Sequence, residues 1–75
     1  MIVRLIDLPL AVKGITIRDT EGDYNVYLNS SISEDERVKA FRHEVQHIKD
    51  GHFYVGSPVT LIEKVTKKLE YKSLE

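Results

Sequence analysis

Cysteine is absent from the 75 residues. That excludes disulfides and any thiolate metal site, and it fits a reducing compartment. A dominant charge is absent too: 11 Lys and Arg stand against 12 Asp and Glu, a formal net charge of -1. Such a balance gives no electrostatic case for binding nucleic acid or an anionic membrane surface. Long apolar runs are also missing. The opening Met1–Asp7 is apolar but interrupted by Arg4 and Asp7. It has neither the apolar region of a signal peptide nor the length of a membrane span, so the expectation is a cytoplasmic protein. No internal repeat, low-complexity segment or linker is visible. With 41% hydrophobic residues, the expectation is a single small domain over residues 1–75. A chain this short builds only a modest core, which a bound metal would help to hold together.

What is present is one stretch of concentrated chemistry, His43-Glu44-Val45-Gln46-His47. It reads H-E-x-x-H. On a helix, residues four apart lie one turn above each other on the same face, so both imidazoles can reach one metal ion. The Glu after the first His projects beside them. Zinc chemistry needs these parts: neutral imidazole donors, an open coordination position and a carboxylate to take a proton from water. The plain alternative is a surface helix that happens to carry two histidines. Chance produces the pattern in on the order of a few chains per thousand of this length.

The rest of the chain supplies a context for that helix. Residues 2–8 read as a short strand or extended arm ending at Leu8-Pro9. Gly14–Arg18 alternates apolar and polar residues as a strand does. Asp19–Asp23 is a turn with Gly22, and Tyr24–Asn29 returns as the second arm of an antiparallel hairpin. Ser33 with Glu36 three residues on forms a capping box, and Glu34, Asp35 and Glu36 crowd the first turn, where the helix dipole favours negative charge. The helix is expected to run from about Glu34 to Asp50, with Gly51 as its stop. Val38, Phe41, Val45 and Ile48 form its apolar stripe. At about 100° per residue, His43 and His47 lie well over 100° from the middle of that stripe. They are therefore either solvated or covered by another element.

That element is expected to be the last one. Gly56-Ser57-Pro58 starts a helix, and Ile62, Val65 and Leu69 give it an apolar stripe. Folding back on the first helix would let Glu63 meet the His pair as a third ligand. Equally, Glu63 is placed for an exposed i,i+4 pair with Lys67, worth a few tenths of a kcal/mol. His52, five residues after His47, is a rival ligand or a loop histidine near the metal. His52, Tyr54 and Tyr27 are all candidates to donate a hydrogen bond to an oxyanion.

His43–Gly51 resembles the short, phage- and mobile-element-type members of the ImmA/IrrE family of zinc metallopeptidases. The resemblance extends upstream through Tyr24–Asn29 and Ser31–Ser33, and downstream through Val59–Glu63. It implies an α+β, minimal zincin-like fold: a small antiparallel sheet, the H-E-x-x-H helix and a C-terminal helix bearing a glutamate ligand. It implies a zinc site of His43, His47 and Glu63, with Glu44 as catalytic base. It also implies a cytoplasmic protein substrate, such as a helix-turn-helix repressor of the same mobile element. This chain departs from the short relatives in carrying His52 where they carry Asp. It departs from the larger ones in carrying Thr66-Lys67 where they carry Ala-Asn. The competing function is a catalytically inactive zinc-binding interaction protein on the same fold. A small phage or toxin-antitoxin component without metal is the third.

Overall fold

The alternation of Gly14–Arg18 and Tyr24–Asn29 does make a hairpin. The computed structural model describes residues 1–64. In chain order its elements are β1 (Ile2–Ile6), β2 (Gly14–Arg18), β3 (Tyr24–Asn29), α1 (Glu34–Asp50), β4 (Tyr54–Val55) and a second helix, α2, over 58–64. β2 and β3 pair antiparallel, with Ile15 opposite Tyr27 and Ile17 opposite Asn25. Asp19 closes the turn: its Oδ1 accepts the backbone N–H of Glu21 and of Asp23, and its Oδ2 accepts the Asn25 amide, each at 3.0 Å. The bond from Asn25, then that from Asp23, hold the Asp19 carboxyl below its usual value. Gly22, at φ 89°, supplies the left-handed position of the turn.

The fold is α+β, with a four-stranded sheet in the order β1-β3-β2-β4 and two helices among the described residues. The sheet is mixed, which corrects the antiparallel expectation. β1 runs parallel to β3, and β4 runs parallel to β2. Asn29 explains how β1 is held there. Its side chain is fully buried, and its amide donates to the carbonyls of Leu8, Pro9 and Val12 at 3.1, 3.2 and 3.0 Å. Those bonds satisfy the link that carries the chain from β1 across to β2.

Residues directly opposite on paired strands share a face, and successive residues alternate. One face therefore presents Ile15, Ile17 and Tyr27, which pack with Leu8. The other presents Gly14, Thr16, Val26 and Leu28, and α1 packs there through Ala40, Phe41 and Ile48. α2 lies on the first face: Leu61 and Ile62 pack against the Ile15–Ile17–Tyr27 cluster. The described part of α2, residues 58–64, thus sits on the face of the sheet opposite α1 and does not fold back on it. Val65, Leu69 and the Glu63–Lys67 pair involve residues outside the described ones. Among the described residues, no helix is long and apolar enough to cross a membrane.

Candidate metal centre

α1 begins as its sequence dictates. Ser33 caps it, its hydroxyl accepting the Glu36 N–H at 3.2 Å, and three acidic residues fill the first turn. Its buried face, however, is not centred on the expected stripe. Val38 is exposed, Phe41, Val45 and Ile48 are half-buried, and the buried residues are Ala40 and Glu44. At about 100° per residue, the helix is rotated by roughly 80° towards its histidines. The cause lies in the sheet. Gly14 has no side chain, and a Cβ added there would stand 3.1 Å from Glu44 Cγ. Thr16, on the same face of β2, donates its hydroxyl to Glu44 Oε1 at 3.1 Å. A hollow with a polar floor therefore receives a carboxylate, and the hydrogen bond offsets part of the cost of burying it.

This rotation brings the histidines to the rim of the buried face rather than to its far side. His43 is exposed and His47 half-buried. Their Nε2 atoms are 2.9 Å apart, and the rings stand edge to face, centroids 4.3 Å apart. One donor atom from each of His43, Glu44 and His47 can be chosen so that all lie within 4.8 Å of one another. Two imidazole nitrogens and a carboxylate oxygen at that spacing are a donor set suited to zinc. The three residues line a cleft bounded on the other side by Lys13, Gly14, Thr16 and the segment His52–Tyr54.

The remaining candidates divide sharply. His52 lines the same cleft, its ring centroid 6.1 Å from that of His47. Tyr54, half-exposed at 52%, also lines it. Tyr27 is buried in the Leu8–Ile15–Ile17 cluster on the opposite face, so it is a core residue and is removed from the oxyanion candidates. Glu63 is exposed on α2, with the sheet between it and the histidine pair. It does not belong to the three-residue donor group.

Two residues that shape the site, Gly14 and Thr16, escape a search for metal ligands. Their signal was the alternation of Gly14-Ile15-Thr16-Ile17 itself. Read with period two, it gives one face of isoleucines and one face that is small and polar. β2 also offers backbone. The Asn29 N–H donates to Lys13 O at 3.0 Å, so the alternation of the antiparallel ladder points the backbone groups of Gly14, Thr16 and Arg18 away from β3. The Gly56 N–H donates to Arg18 O from that side. The β4 register covers Ile17 and Arg18, leaving residues 14–15 as a sheet edge beside the cleft. β3 is interior, flanked by β1 and β2, and offers no free edge. Comparison with models of known families, with curated proteins and with solved structures finds no match.

Proposed function

We propose that the protein is a zinc-dependent metallopeptidase on a minimal zincin-like fold, with His43 and His47 as metal ligands and Glu44 as general base. The observation that carries this reading is the convergence of the three H-E-x-x-H side chains at one cleft, with the carboxylate buried and oriented by Thr16. Bound there, zinc would supply a Lewis acid that lowers the pKa of water and polarises a peptide carbonyl. Glu44 does the proton work. Thr16 holds Oε1, so Oε2 is the oxygen left to accept a proton from water and to deliver it to the leaving amine. The surrounding sheet and helix keep that carboxylate in place between the two transfers.

The free edge of β2 at residues 14–15 supports an extended peptide as substrate. Such a segment would add to the sheet by main-chain hydrogen bonds and lie across the mouth of the cleft. Tyr54, on the same rim, is the candidate hydrogen-bond donor to the developing oxyanion. The resemblance to phage-borne metallopeptidases supports a partner protein of the helix-turn-helix repressor type as the source of that segment.

The test is Glu44→Gln, compared with wild type on a repressor encoded beside the gene and on a broad peptide library, with cleavage followed by intact mass. Wild type should cut and the mutant should be slower by about 100- to 10,000-fold, as loss of a general base commonly produces. Cleavage unchanged in the mutant contradicts the mechanism. Zinc binding without cleavage by either form would instead identify a non-catalytic zinc-binding interaction protein.

A further inference from the structure

The helix stop after the H-E-x-x-H segment is itself part of the centre: we infer that His52, not Glu63, is the third zinc ligand. The inference rests on the zinc reading above and adds the residue that completes the site. A catalytic zinc ion takes three protein donors and leaves a position open, so His43 and His47 need one more. Glu44 is committed elsewhere, since its carboxylate is buried against β2 and bonded to Thr16. Glu63 stands on the wrong face. α2 is seated by Leu61 and Ile62 on the Ile15–Ile17–Tyr27 side, and the sheet separates it from the pair.

His52 is delivered to the pair by the backbone. Gly51 is left-handed, at φ 75° and ψ 19°. Its N–H donates to Ile48 O at 3.2 Å, and the His52 N–H donates to His47 O at 2.8 Å. Those two bonds are a Schellman stop, which turns the chain back over the last helical turn. The imidazole of His52 therefore comes to lie beside the ring of a proposed ligand whose own carbonyl anchors it. Within the next two residues the segment is fixed again. β4 pairs with β2, and the Phe53 ring packs edge-on against Tyr24 with centroids 5.1 Å apart. His52 is thus held over the cleft from both sides while its side chain remains exposed.

The distances give the adjustment His52 must make, since it lies outside the group of donors within 4.8 Å formed by His43, Glu44 and His47. With a zinc–nitrogen bond of about 2.0–2.1 Å, two imidazoles on one tetrahedral ion have centroids roughly 5 Å apart. The His43–His47 rings are at 4.3 Å and the His47–His52 rings at 6.1 Å, on either side of that value. Coordination by His52 would therefore bring its exposed ring about 1 Å closer to that of His47.

The experiment is zinc titration of untagged protein against a competing chelator dye. It would use wild type, His52→Ala, His52→Asp and Glu63→Gln, with melting curves to establish that each variant folds. His52→Ala should weaken zinc binding by at least about 100-fold. His52→Asp, which restores a donor, should recover part of the loss, and Glu63→Gln should change affinity by less than about threefold. Zinc should also shift the side-chain ¹⁵N resonances of all three histidines in wild type. Loss of affinity in Glu63→Gln, with His52→Ala unaffected, overturns this inference and leaves the zinc reading intact. Unchanged affinity with lost cleavage in His52→Ala would make His52 an oxyanion donor and likewise overturn it. A wild type that binds no zinc overturns both.

Discussion

β2 and β3 show two faces built from the same residues of chain, and the faces do different work. On one, Ile15, Ile17 and Tyr27 meet Leu8 and are covered by Leu61 and Ile62. Its buried polar residues, Asn25 and Asn29, donate to backbone carbonyls of the turn and of the β1–β2 link, with Asn25 also reaching the Asp19 carboxylate. On the other face, Gly14 and Thr16 interrupt the apolar surface beneath α1, and the polar contact runs to the titratable side chain of Glu44. A buried polar group that serves the backbone builds the fold. One that orients an ionisable side chain at an open cleft builds the candidate site. The difference separates the part of this small domain that holds the fold from the part to which the proposed function assigns chemistry.

Substitutions on each face should break that comparison in different observables. The largest stability effect is expected from Ile17→Ala. Ile17 is fully buried, so truncation should cost about 2–5 kcal/mol in chemical unfolding. That is a large share of the roughly 5–15 kcal/mol typical of a domain. A loss below about 1 kcal/mol would mean this face is not the structural core. Thr16→Val keeps the shape and removes the donor to Glu44. It should cost about 1.5–3 kcal/mol, as a hydrogen bond to a charged group does, and slow turnover by about 10- to 100-fold. Its zinc affinity should stay within about threefold, since no ligand is touched. A Thr16→Val enzyme with normal turnover would show that the hydroxyl does not orient the base.

Gly14→Ala should be milder. The new Cβ would meet Glu44 Cγ at 3.1 Å and Leu28 Cδ2 at 3.3 Å, contacts that require a shift of a few tenths of an ångström. About 1 kcal/mol of destabilisation is expected, at the low end for overpacking. Its turnover should fall more than its zinc affinity. The smallest effect belongs to the turn. Asp19 has a folded value below its ordinary 3.8, so the stability it contributes is complete above that pH and is lost as pH falls through the lowered folded value. Asp19→Asn should therefore flatten the acid limb of the unfolding curve below about pH 4, with its deficit against wild type fully present at pH 7 and vanishing as pH falls through the lowered folded value. An acid limb identical in mutant and wild type would remove Asp19 from the account.

Much of this architecture was legible in the sequence because the signals are local. Gly14–Arg18 and Tyr24–Asn29 pair as their alternation implied, and Ser33 and Gly51 bound a helix over Glu34–Asp50. Pro58 opens the second helix. What escaped was set by distant partners. β1 lies beside β3 because Asn29 satisfies a link about twenty residues away in sequence, which no local pattern announces. α1 is rotated because Gly14 and Thr16 form a hollow for Glu44, so a carboxylate sits where an apolar stripe would have placed valine. Glu63 was assigned to the site from the resemblance and the helical pattern. The side of the sheet taken by α2 is decided by Leu61 and Ile62 finding the Ile15–Ile17–Tyr27 cluster, a choice invisible in one dimension. His43, Glu44 and His47 were readable because a single helical turn brings them together without help from the fold.

The most direct test of the central claim is metal analysis of protein purified without chelator or histidine tag, alongside the His43→Ala/His47→Ala double variant. The account predicts about one zinc per chain in wild type and none in the variant, with both proteins folded by circular dichroism. Metal-free wild type, or stoichiometric zinc retained by the double variant, would contradict it.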